Sequence, residues 1–174
     1  AFSWNVMASN GHTMAHMAQA MHLRASVTTR SCSVSRVIAA VGHTFGEVAW
    51  WENDGFGVFT KHGVAAPEPT PGFFPGAHAI RAVDLDEDTD IDFVIASDLT
   101  GTVAWYQNDG FENFSALMIT NTADGASSVF AADLDGDDDI DVLSASANDD
   151  KIAWYENNGD RTFTAHTITT AANG

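Results

Sequence analysis

The side chains of this sequence best placed to do chemistry are carboxylates, because their spacing is regular and recurs. In Asp133-Leu134-Asp135-Gly136-Asp137-Asp138-Asp139-Ile140-Asp141, aspartates fall at positions one, three, five, seven and nine, and apolar residues at two and eight. Asp84-Leu85-Asp86-Glu87-Asp88-Thr89-Asp90-Ile91-Asp92 has the same pattern. Each segment holds six carboxylates, so two short stretches contain twelve of the 24 acidic residues. A tightly turning loop with this alternation aims several oxygens at one point, where like charges crowd unless a cation joins them. Calcium is a hard cation that takes six to eight oxygens at about 2.3–2.6 Å, and it suits this donor set. Magnesium demands stricter octahedral geometry, and softer metals call for His or Cys, which neither loop contains. Two calcium sites are therefore expected, one per loop.

The composition narrows the partners. A formal net charge of −17 with seven Lys and Arg argues against nucleic acid and against an anionic membrane surface, since both need basic side chains. Two bound calcium ions would leave the chain acidic, which favours solubility. Cys32 is alone, so stability must come from packing and metal rather than from an intrachain disulfide. No stretch reaches the roughly 18 apolar residues of a transmembrane helix, and the first residues show no basic n-region followed by an apolar h-region.

The elements that hold the loops are set by an internal repeat. Ala131-Ala132-Asp133-Leu134-Asp135 aligns with Ala82-Val83-Asp84-Leu85-Asp86, and the same offset of 49 aligns Ile152-Ala153-Trp154-Tyr155 with Val103-Ala104-Trp105-Tyr106. A third copy lies upstream at an offset of 55, where Val48-Ala49-Trp50-Trp51-Glu52-Asn53-Asp54-Gly55-Phe56 matches Val103 to Phe111. The extra residues fall in the proline-rich Pro67-Glu68-Pro69-Thr70-Pro71-Gly72. Within a copy, Val129–Ala132, Val142–Ser146, Ile152–Tyr155 and Phe163–Ile168 read as four short strands parted by polar turns. Four strands repeating every 40–50 residues or so predict an all-β fold of propeller-type blades, with an antiparallel sandwich as the alternative. The expected organisation is an N-terminal segment 1–25, a degenerate blade 26–66, a Pro/Gly-rich loop 67–76, and calcium-loop blades 77–122 and 123–174. Residues 1–25 read two ways. Phe2-Ser3-Trp4 resembles a remnant blade strand, whereas Met14, Met17 and Met21 stand at helical spacing, and the helix is favoured. His12, His16 and His22 in that run read as packing and surface residues.

A loop of this length followed by a strand, together with Ile152-Ala153-Trp154-Tyr155-Glu156-Asn157-Asn158-Gly159-Asp160, resembles the FG-GAP or VCBS repeat family of integrin-α-like and propeller-lectin-like blades. The resemblance spans roughly residues 25–170. It implies that Asp133, Asp135, Asp137 and Asp141 bind calcium through side chains and Asp139 through its carbonyl. Asp84, Asp86, Asp88 and Asp92, with the Asp90 carbonyl, map onto the same roles. Three positions depart from the family pattern. The usual glycine at loop position six is Asp138 in one repeat and Thr89 in the other, and position four of the earlier loop is Glu87. In the first repeat, Thr29 to Val37 stands where the acidic loop belongs and carries no carboxylate, so that blade is expected to bind no calcium.

Three blades are fewer than a closed propeller usually needs, so a divergent N-terminal blade, a protein partner, a homo-oligomer or a longer polypeptide is expected to complete the ring. The expected function is a non-catalytic, calcium-stabilised module for protein interaction or adhesion, within or outside a larger assembly. The alternative is lectin-like glycan binding through aromatics among Trp50, Trp51, Trp105, Tyr106, Trp154 and Tyr155, although their recurrence at fixed blade positions favours core packing. A lyase or dehydratase activity is the third option. It finds no support in a Ser-His-Asp or Cys-His pattern, an HExxH motif or a phosphate-binding glycine loop, and His43, His62, His78 and His166 are scattered. Calcium abundance places such a chain outside the cell or in an organelle lumen.

Overall fold

The computed structural model describes residues 36–41, 48–54, 56–64 and 75–172. Expectations for residues 1–35, including the helix-or-strand choice and most of the carboxylate-free stretch, lie outside the described residues, as does the proline-rich loop.

Among the described residues the chain is all β, in three antiparallel meanders. The first sheet contains β1 (Arg36–Val41), β2 (Val48–Asn53) and β3 (Phe59–Gly63). The second contains β4 (Ala77–Val83), β5 (Asp92–Ser97), β6 (Thr102–Asn108) and β7 (Phe114–Thr120). The third contains β8 (Ala126–Ala132), β9 (Asp141–Ser146), β10 (Lys151–Asn157) and β11 (Phe163–Thr169). Each strand of the third sheet starts and ends 49 positions after its counterpart in the second, the offset read from the acidic loops. Irregularities recur at the same offset. The register shifts between Ala77 and Ala79 and again between Ala126 and Ser128, and between Val103 and Ala104 and again between Ile152 and Ala153. Such bulges bend a strand and add twist, so both blades are curved at the same points.

The core lies between blades. One apolar seam joins blades one and two through Ala39, Val48, Phe93, Ile95, Tyr106 and Phe114, with Trp50 packed against it. The other joins blades two and three through Val94, Val103, Trp105, Val142, Ala153 and Tyr155. Alternation along β5 explains the arrangement, because Phe93 and Ile95 face one neighbour while Val94 and Ala96 face the other. All six residues of β5 are buried, as expected of a strand covered on both faces. The Phe163 ring of blade three meets Trp105 of blade two edge-on, with centroids 6.3 Å apart. Full burial of an aromatic side chain of this kind contributes on the order of 1.5–3 kcal/mol. The aromatics weighed for sugar stacking therefore divide: Trp105, Tyr106 and Tyr155 are buried in the seams, while Trp50, Trp51 and Trp154 are half-buried.

Candidate metal centres

Both acidic loops connect the first and second strands of their blades, Val83 to Asp92 in blade two and Ala132 to Asp141 in blade three. Each ends on an aspartate that opens the second strand and is fully buried. Asp92 is held by three donors: the Leu85 N–H at 3.2 Å, the Trp105 indole N–H at 2.9 Å and the Asn108 N–H at 2.7 Å. Asp141 accepts from the Leu134 N–H at 2.9 Å and the Asn157 N–H at 2.8 Å. The position-nine aspartate thus closes the loop on its own second residue and ties it to the third strand of the blade. Burial pushes Asp92 up from the ordinary carboxylate range to about 6, against the lowering effect of its three donors.

The remaining carboxylates converge in two groups. Oxygens of Asp84, Asp86 and Asp88 lie within 4.8 Å of one another, as do those of Asp133, Asp135 and Asp141. Asp92 is not in the first group, and Asp137 is not in the second, where its side chain instead accepts the Asp139 N–H at 3.0 Å. Asp90 and Asp139 point elsewhere: their carboxylates face Gly110 and Gly159 at the tips of the neighbouring hairpins, which leaves their backbone carbonyls as the groups implied for metal. A Cβ at Gly110 would stand 2.5 Å from Asp90 Oδ2, and one at Gly159 would stand 2.8 Å from Asp139 Oδ2, and both glycines hold positive φ, so a side chain at either would strain the turn and push a carboxylate end aside.

The fit to a hard cation rests on the donor set and on unused oxygens. Every gathered ligand is an oxygen, as calcium prefers. Asp84 Oδ1 and Asp86 Oδ1 are buried and find no hydrogen-bond donor, a costly arrangement unless a positive charge fills the space between them. Burial raises the Asp84 carboxyl above its usual range, and the Asp88 and Asp86 charges add to the rise. Asp135 is raised as well, by desolvation first and then by Asp137 and Asp141. A cation held in either loop would therefore compete with protons for these carboxylates.

The loop backbones turn with non-glycine residues in the left-handed region. Position six is Thr89 at φ 81° and Asp138 at φ 77°, and position four is Glu87 at φ 59° against Gly136 at φ 86°. The turn demanded by the repeat is thus kept where the sequence departs from glycine, with strain held in the backbone.

Several residues that sequence reasoning passed over frame the loops. Asn157 donates from its side-chain amide to the Ile140 carbonyl of its own loop at 3.1 Å and to the Leu85 carbonyl of the preceding blade's loop at 3.2 Å. The Gln107 amide donates to Asp86 at 2.6 Å, and Arg161 of blade three stands 3.9 Å from the same carboxylate. Leu85, Asp86, Asn157 and Arg161, with Trp105 and Asp139, line a polar cleft of about 270 Å³ where the two blades meet. Phe56 and Phe111 project at equivalent hairpin tips, 94% and 83% exposed. His62 lies flat on Trp50 with ring centroids 4.0 Å apart, and His166 lies on Trp154 at 4.5 Å. His62 also stands 3.5 Å from Glu52 and 3.4 Å from Glu112 of the next blade, and His166 stands 2.7 Å from Glu156. A signal for the pairs was available: Trp50 and His62 recur at the same repeat positions as Trp154 and His166, with Leu117 standing between them in the series.

These features define an array of propeller-type blades carrying acidic loops at one end. Residues 84–144 match the family model of the FG-GAP-like repeat. The match covers the whole of the first acidic loop and the second as far as β9. No curated protein matches the chain. The chain is similar to the solved structure of an Agrocybe aegerita lectin described as specifically recognising non-reducing terminal N-acetylglucosamine, with 19% identity and a TM-score of 0.48. The similarity covers 79% of this chain and 40% of the lectin, so the chain spans less than half the length of that protein.

Proposed function

We propose that the chain is a calcium-stabilised, non-catalytic interaction module, in which two ions stiffen the loop end of adjacent blades and leave the hairpin tips to meet a partner. The reading rests above all on one observation: both loops gather carboxylate oxygens, and in the first loop two of those oxygens are buried without a donor. In the second loop Asp133, Asp135 and Asp141 are the gathered donors, and Asp137 and the Asp139 carbonyl complete the set that the family resemblance implies. The chemistry a bound calcium supplies here is charge neutralisation and rigidity. The residues around the loops serve as tethers: Asp92 and Asp141 accept N–H donors from their own loop and blade, and His62 and His166 are stacked on tryptophans beside glutamates. An adhesive role in a calcium-rich setting, outside the cell or in an organelle lumen, is consistent with loops that need the ion to be rigid. Calorimetric titration with calcium after chelator treatment tests the proposal. Saturable binding that Asp84→Ala and Asp133→Ala each diminish supports it, and heat indistinguishable from dilution contradicts it.

A carbohydrate partner is the second reading. The observation in its favour is the polar cleft at the seam of blades two and three, since small ligands are held in concave sites by a few placed polar groups. A glycan array probed with and without chelator separates the two readings. Chelator-sensitive glycan signal favours the second, and a blank array favours a protein partner.

A further inference from the structure

We propose that Asn157 couples the two acidic loops, so that calcium in either one raises the affinity of the other. The inference rests on the calcium-module reading above and adds a linkage between its two sites.

Asn157 stands at the end of β10, 4% exposed, with every polar atom of its side chain engaged. Its backbone N–H donates to Asp141 at 2.8 Å, and Asp141 is one of the carboxylates gathered in the blade-three loop. Its side-chain amide donates to the Ile140 carbonyl of that loop at 3.1 Å and, across the seam, to the Leu85 carbonyl at 3.2 Å. The Gly159 N–H donates to the amide oxygen at 3.2 Å, which leaves the amide nitrogen facing both carbonyls.

Leu85 is equally constrained. Its chain neighbours Asp84 and Asp86 belong to the group gathered in the blade-two loop, its N–H closes on Asp92, and its side chain is buried in the seam with Ala153 and Tyr155. One buried side chain thus joins a donor of one candidate site to the backbone between two donors of the other. When Asp141 is drawn toward Asp133 and Asp135, Asn157 is fixed with it, and so is the Leu85 carbonyl. Part of the ordering that the blade-two loop requires is then already done, which makes the coupling positive and, by linkage, equal in both directions.

Other contacts weigh less. Arg161 of the same hairpin stands 3.9 Å from Asp86, but its side chain is 59% exposed, and an ion pair in that setting is weak. Asn108 holds the repeat position of Asn157, accepts the Gly110 N–H in the same way and donates to Ile91 of its own blade. Among the described residues its amide reaches no second loop, so the joint belongs to the seam between the two acidic loops.

Calorimetric calcium titration of wild type, Asp84→Ala and Asp133→Ala tests the proposal. For independent sites, the overall two-ion binding constant of wild type equals the product of the single-site constants, read for the blade-three loop in Asp84→Ala and for the blade-two loop in Asp133→Ala. Coupling through a buried hydrogen bond should make the wild-type constant larger than that product, by roughly three- to tenfold. Asn157→Ala, carried in all three backgrounds and checked for folding by circular dichroism, should bring the ratio back to about one. Asn157→Ser is a milder second variant, since it keeps the backbone bond to Asp141 and loses the reach to Leu85. Asn108→Ala should leave the ratio raised. A wild-type ratio of about one overturns the inference whatever the variants do, and a raised ratio that survives loss of the Asn157 amide overturns it as well. Two ions bound independently contradict this inference alone, whereas a chain that binds no calcium contradicts the module reading.

Discussion

The indole N–H of Trp105 donates to the buried carboxylate of Asp92 at 2.9 Å, which ties the end of an acidic loop to the ring that fills the seam with blade three. Acidic loop and apolar core are thereby one mechanical unit. Asp92 sits near 6 in the fold against an ordinary 3.8, so the fold holds its proton more tightly than the unfolded chain does. A group raised in this way contributes stability that is fully present below about 3.8 and lost as pH rises through about 6. In chelator, wild-type stability should therefore fall relative to Asp92→Asn between those limits, by on the order of 1–3 kcal/mol. The hydrogen bonds lost in the variant add a constant offset and no slope. Urea unfolding of both proteins at several pH values reads the difference, and parallel curves would refute the assignment. Asp84, a member of the gathered group, is also raised by burial, so any calcium affinity at the first loop should weaken as pH falls, which calcium titration at several pH values checks.

Asn157 binds two loops at once, through the Ile140 and Leu85 carbonyls, whereas its counterpart Asn108 donates to the Ile91 carbonyl of its own blade at 3.2 Å. Asn157→Ala strands buried carbonyls at a blade seam and should cost about 1–3 kcal/mol. Asn108→Ala, at a more exposed bond, should cost less. Equal losses in chemical denaturation would show that the cross-blade bond contributes nothing.

Backbone strain in the loops offers a gain in stability. Thr89 is β-branched and holds φ at 81°, and Asp138 holds 77°, where glycine is at ease. Thr89→Gly and Asp138→Gly should each raise stability in calcium by about 1 kcal/mol, net of the entropy that glycine adds to the unfolded chain. Gly159→Ala should do the reverse, because Gly159 holds φ at 71°, a conformation that a side chain strains. Thermal melts in calcium decide the matter, and a lower midpoint for both glycine variants would contradict the strain reading.

Much of this was legible before any coordinates. The offset of 49 that aligns Asp133 with Asp84 also sets every strand boundary of blade three from blade two, because side-chain alternation and turn residues recur together. Four strands per acidic-loop blade, and the burial of Trp105, Tyr106 and Tyr155, followed from the same repetition. What the pattern concealed depends on a neighbour rather than on the local chain. Trp105 and Trp154 share a repeat position and nearly identical surroundings in sequence, yet one indole finds Asp92 and the other lies on His166, since only the first is covered by Phe163. The reach of Asn157 to Leu85, 72 positions earlier, is likewise a product of blade stacking that no local spacing announces. The groups gathered in the two loops also differ, with Asp88 in one and Asp141 in the other, although the aspartate spacing is the same.

Native mass spectrometry of the intact chain, with and without chelator, tests the central claim most directly. Two calcium ions per chain are expected, falling to one in Asp133→Ala and to none in chelator. A calcium-treated chain whose mass shows no bound ion would contradict the account.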